Sequence, residues 1–136
     1  MRPSDLKTQS QITFLYYPDM AEPARFYEEV MGFELVDAQG IARIYRVSGT
    51  AFLGLVAGDK GFRRPQPLNA VLLTVLVNDL EGWYSYLQAR GAKLLTGLED
   101  RSAFGLRCFF VEDPGGYALE IQTFVRPHLR EIFQPQ

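Results

Sequence analysis

The side chains that most often carry chemistry are sparse in this sequence. Among 136 residues there is one histidine, His128, and one cysteine, Cys108. A single cysteine excludes an internal disulfide and any Cys-x-x-Cys zinc site. A single histidine excludes every multi-histidine metal site within one chain. It also leaves a Ser/His/Asp arrangement only one base, and that base lies close to the C-terminus. Cys108 sits in the apolar run LRCFFVE, where no neighbouring base is evident. A reactive thiolate needs such a base or an electropositive site, so Cys108 reads as a small buried hydrophobe. What remains is a set of carboxylates and many rings: ten Phe, seven Tyr and one Trp. The formal charge of −2 supplies no electrostatic attraction for nucleic acid or an anionic membrane, so neither is expected as a partner.

The elements that must position these groups follow a repeated order. QITFLYY (11–17) is β-branched and aromatic, as a strand requires. Pro18 ends it, and Asp19 with Glu22 has capping-box spacing for a helix that runs to Met31 and closes at Gly32. FELVD (33–37) reads as a strand, and IARIYRV (41–47) with AFLGLV (51–56) as a hairpin around Ser48-Gly49-Thr50. GDKGFRRPQPLN (58–69) is polar and rich in Gly and Pro, so it reads as a linker with Arg63 and Arg64 in solvent. The order then restarts. AVLLTVLV (70–77) is a strand, and Asn78 or Asp79 caps a second helix with Glu81 completing the box. Leu80, Trp83, Tyr84 and Leu87 form its apolar stripe, and Gly91 ends it. AKLLTGL (92–98), LRCFFVE (106–112) and YALEIQTF (117–124) read as strands, the last two around Asp113-Pro114-Gly115-Gly116. The expected domain is therefore α+β, with two strand-helix-strand-strand-strand modules at 11–57 and 70–124. Residues 1–10 read as a loosely ordered arm, and 125–136 as a tail with one helical turn. No apolar run approaches the ~20 residues that span a bilayer, and no segment has the pattern of a signal peptide, so a cytoplasmic protein is expected.

Three stretches carry a family resemblance. ITFLYYPDMAEPARFYEEVMGFELV resembles the opening module of the vicinal oxygen chelate superfamily, which includes glyoxalase I, extradiol dioxygenases and bleomycin-binding proteins. DLEGWYSYLQARGAKLL is similar to its second-module helix, and VEDPGGYALEIQTF to its closing strand. The resemblance spans residues 11–124. It implies two βαβββ half-barrels around a cleft, helices outside, and commonly a homodimer, which would also cover sheet edges. It further implies a metal site with one ligand from the first and last strand of each module. Carried over position by position, those ligands fall on Ile12, Gly54, Leu72 and Glu120. Only Glu120 is a donor, and a catalytic divalent ion needs roughly three or more. A metal-free member with no cofactor is therefore expected.

With those positions facing the cleft, strand alternation brings Phe14, Tyr16, Phe52 and Thr74 to the same side. An even hairpin loop would add Arg43 and Tyr45, and the family register sets Cys108 and Phe110 opposite Glu120. This lining suits an aromatic or hydrophobic small molecule. Arg43 is the expected partner of Glu120. The function this implies is binding of such a ligand without chemistry. The alternatives are a metal-dependent glyoxalase- or dioxygenase-type enzyme, or a metal-free lyase or isomerase with Glu120 as base.

Overall fold

The computed structural model describes residues Met1–Gln136, which divide into two compact units, Met1–Gln66 and Pro67–Gln136. In the first unit, β1 (Gln11–Tyr17) leads into α1 (Ala21–Arg25) and a π-helical turn, Phe26–Val30. β2 (Glu34–Gln39), β3 (Ala42–Ser48) and β4 (Ala51–Ala57) follow. The sheet order is β1-β4-β3-β2, with β1 parallel to β4. Leu15 and Tyr17 of β1, Leu53 and Leu55 of β4 and Tyr45 of β3 are all buried on one face. Phe26, Tyr27 and Met31 of the helical segment are buried with them. Fully burying a side chain of this size contributes roughly 1.5–3 kcal/mol, so this face is what holds the unit together.

The helix begins differently from the expected capping box. Met20 occupies the N-cap with no side-chain bond, and its carbonyl accepts from Ala24 at 2.9 Å. Pro23 explains why so little capping is needed, since it has no N–H to satisfy in the first turn. At the far end Met31 N–H reaches back five residues to Phe26 O at 2.8 Å, which widens the last turn before Gly32 leaves it at φ +72°.

The second unit repeats the order. β5 (Leu72–Leu76), α2 (Leu80–Ala89), β6 (Lys93–Leu94), β7 (Glu99–Arg101), β8 (Leu106–Glu112) and β9 (Ala118–Phe124) precede a terminal α3 (Pro127–Phe133). The order is β5-β9-β8-β6, β7 also pairs with β8, and β5 runs parallel to β9. Asp79 caps α2 by accepting from Gly82 N–H at 3.0 Å. Glu81 does not complete a box; it pairs with Arg107 of β8, whose hydrogen bond holds its carboxyl below the usual range. Leu80 and Leu87 of α2 pack with Phe109, Val111, Leu119 and Ile121 in the core of this unit, all at most 1% exposed.

Two expectations fail here for visible reasons. The strand expected over 92–98 survives only as β6, because Thr96 Oγ1 accepts Phe110 N–H at 3.0 Å and so replaces a ladder carbonyl. The tail forms two turns rather than one, because Gln134 and Arg130 anchor it: the Gln134 amide accepts from Phe124 N–H at 2.8 Å and donates to Val77 O at 3.0 Å. No helix is long and apolar enough to cross a membrane.

Candidate functional site

The face of the second sheet turned away from α2 brings together Thr74, Cys108, Phe110 and Glu120, four of the residues the sequence singled out. Strand register aligns Thr74, Glu120 and Phe110 in one row, and Leu76, Gln122 and Cys108 in the next. Thr74 Oγ1 donates to Glu120 Oε1 at 3.0 Å. Glu120 is only 9% exposed, so this bond replaces water that burial has removed. The Cys108 thiol also hydrogen-bonds Glu120. Burial first, and then that carboxylate, push the thiol up to about 11, so it stays protonated near neutrality. This is the inert, buried cysteine expected from the sequence.

The cation beside this row is Arg101, not Arg43. Its guanidinium lies over the Phe110 ring, 5.3 Å from the centroid, and donates to Glu99 Oε1 at 2.9 Å. Glu99 raises its basicity most, with smaller contributions from Cys108 and Glu120. Sequence reasoning missed Arg101 because β7 was not foreseen as a strand.

In the first unit, Ile12, Phe14 and Tyr16 share a face with Phe52, Gly54 and Val56, as alternation requires. Phe14 pairs with Gly54, and a Cβ on that glycine would lie 2.4 Å from the Phe14 ring. The ring therefore occupies the place where a side chain at position 54 would project. Arg46 lies over Phe52 at 4.8 Å and donates to Glu34 at 3.3 Å. Tyr16 meets the segment after β4, where a Cβ on Gly61 would come within 3.1 Å of its ring.

Arg43 and Tyr45 are corrections. Both lie on the opposite, helix-covered face, where Tyr45 Oη donates to Glu28 Oε2 at 2.9 Å and Arg43 bonds the same oxygen at 3.2 Å. The cause is a bulge. Ser48 pairs with Ala51 across Gly49-Thr50, a register that would set Tyr45 opposite Gly54. Val47 is an extra residue between the Arg46 and Ser48 pairs, so Tyr45 falls opposite Leu53 instead. Burial, then the Glu28 hydrogen bond and charge, raise Tyr45 to about 12, with Arg43 acting in the opposite sense.

Other marked residues lie elsewhere. Trp83 is half-buried rather than core; with Asp79, Gly82 and Tyr86 it lines an open cavity of about 340 Å³. His128 is exposed on α3.

The positions where a metal would be held do not fit one. Ile12, Gly54 and Leu72 offer no donor atom, and no group of three or more His, Cys, Asp or Glu side chains could hold an ion. At Gly54 the Phe14 ring puts hydrocarbon where a side chain at that position would project.

Two βαβββ units, each closing its first strand parallel to its last, define a protein of the vicinal oxygen chelate type. Residues 9–121 match the Glyoxalase/Bleomycin resistance protein/Dioxygenase superfamily, and the chain belongs to it. No curated protein matches the sequence. Among solved structures, TioX from Micromonospora sp. ML1 is similar at 20% identity and a TM-score of 0.69, over 86% of this chain and 99% of that one. A glyoxalase/bleomycin resistance protein/dioxygenase from Nocardioides is similar at 17% identity and a TM-score of 0.71, over 91% of each chain. Lactoylglutathione lyase from Agrobacterium tumefaciens is similar at 19% identity and a TM-score of 0.68, over 86% of this chain and 94% of that one. At these identities the likeness concerns the fold alone.

Proposed function

We propose that this protein binds an aromatic or hydrophobic small molecule on the sheet face that carries Glu120, and does so without a catalytic metal. The observation that carries this reading is the replacement of metal donors by hydrocarbon: Ile12 and Leu72 at two of the family's ligand positions, and the Phe14 ring over Gly54 at a third. Phe110, in register with Glu120, supplies ring surface on that face. Glu120, held by Thr74, supplies an oriented anchor for a ligand donor. Apolar surface with a few fixed polar points is the usual make-up of a small-molecule site.

The test is a thermal-shift screen of planar aromatic compounds, run beside elemental analysis of protein purified without added metal. The expected result is stabilisation by a subset of compounds and no stoichiometric Zn, Ni, Fe or Mn. No lactoylglutathione formation is expected with any of these ions added. An equimolar metal lost in Glu120→Gln would overturn the reading.

One observation favours a second reading. Hydrogen bonds from Thr74 and Cys108 orient the Glu120 carboxylate and leave it lone pairs to take a ligand proton, an arrangement suited to proton abstraction in a metal-free isomerase or lyase. Turnover assays on the compounds that bind separate the two, since pure binding returns every ligand unchanged.

A further inference from the structure

Two glutamines are almost equally buried in the second unit, Gln122 at 6% exposed and Gln134 at 7%. Their amides are treated very differently. Gln134 accepts from Phe124 N–H and donates to Val77 O, Asn78 Oδ1 and Thr123 Oγ1, all within 2.8–3.0 Å. That is the full complement expected of a structural buried amide. The Gln122 side chain makes no hydrogen bond, although its backbone carbonyl is used in the ladder by Val77 N–H. No fully enclosed side-chain nitrogen or oxygen in the molecule lacks a partner, so the Gln122 amide still touches the open side of the sheet. A leucine or methionine would fill the buried part of this site equally well, so the amide's position at the open side points to a use other than packing.

Gln122 stands two residues from Glu120 on β9, on the same face, with Cα atoms about 6.6 Å apart, so both side chains can reach one edge of a ligand. Glu120 already receives Thr74 and Cys108, which orient its carboxylate and leave lone pairs for one more donor. We infer that Gln122 is a recognition residue, and that the ligand is a planar heteroaromatic with a cyclic-amide edge. Its N–H is given to Glu120 and its carbonyl accepts from the Gln122 amide. This rests on the ligand-binding reading above and names the ligand class within it.

The test uses three probes by isothermal titration: quinolin-2(1H)-one, its N-methyl derivative and quinoline. Wild type should bind quinolin-2(1H)-one at least 10-fold more tightly than either of the other two. Gln122→Leu, with Gln122→Met as a second variant, should weaken both quinolinones about 10-fold and leave quinoline unchanged. The melting temperature of both variants should hold within a few degrees, because no hydrogen bond within the protein is lost. Equal binding of all three probes by wild type sinks the inference and leaves the ligand-binding reading standing. A fall in melting temperature with unchanged quinolinone binding makes Gln122 structural and also sinks it. Failure of all three probes to bind at millimolar concentration removes both.

Discussion

At Tyr45, burial and a neighbouring carboxylate act in the same direction. The phenol is fully buried and donates to Glu28, and it ionises at about 12 rather than the ordinary 10.0. A folded-state value above the unfolded one means the stabilisation is complete below pH 10 and is lost as pH rises from about 10 to 12. Two units correspond to roughly 2–3 kcal/mol. Tyr45→Phe should cost about 1 kcal/mol at neutral pH by removing one hydrogen bond. Denaturant titrations at pH 8 to 12 should then show the wild-type advantage shrinking across that window and reversing at its upper end. Cys108 offers a second check. Buried and shifted to about 11, it should resist iodoacetamide in the native protein at pH 8 and react once unfolded, as mass spectrometry would read. The inertness of Cys108 was legible in its apolar neighbours. Gln122 was not, because alternation tells which face a side chain takes and nothing about whether it finds a partner.

Most strands were legible because aromatic and β-branched runs ended in Pro, Gly and Asp. β1 and β8 coincide with QITFLYY and LRCFFVE, the runs that marked them. What stayed hidden were departures from regular pairing. The extra residue Val47 has no distinguishing chemistry, yet it turns Arg43 and Tyr45 to the helix and removes Arg43 as a partner for Glu120. Thr96 has the composition of a strand residue, and only its hydroxyl bond to Phe110 N–H breaks the run. Close packing of Phe14 on Gly54 gives a test of β1 against β4. Gly54→Ala would drive a methyl to 2.4 Å from the ring, but Phe14 is 41% exposed and can swing outward, so a cost of about 1 kcal/mol is expected. In a double-mutant cycle with Phe14→Ala that cost should largely disappear. Gln134→Ala should be more severe, about 2–3 kcal/mol in chemical denaturation, because it strands the Phe124 N–H beneath α3.

For the molecule as a whole, the open sheet edges support a proposal that two copies associate. β1 pairs only with β4, and β5 only with β9, so each leaves one ladder unpaired within its own sheet. Light scattering at micromolar concentration should give twice the chain mass of 15.4 kDa; a lone 15.4 kDa species would reject a dimer. The same strand order also governs events in time. Glu112 and Ala118 close the β8–β9 hairpin over 6 residues, whereas Leu72 must find Ala118 across 46 and Gln11 must find Ala51 across 40. By the logarithmic scaling of loop closure the long closures cost about 2 kcal/mol more in chain entropy than the hairpin, before any contact rewards them. Assembly from the unfolded chain should therefore run from the middle of each sheet outward, with the first strand of each unit docking last. Pulse-labelled hydrogen exchange during refolding should find the amides of Leu106–Glu112 protected before those of Leu72–Leu76. During that interval the chain is a pair of hairpins whose parallel seats are still vacant, and that is when a second chain could most easily be taken in by mistake.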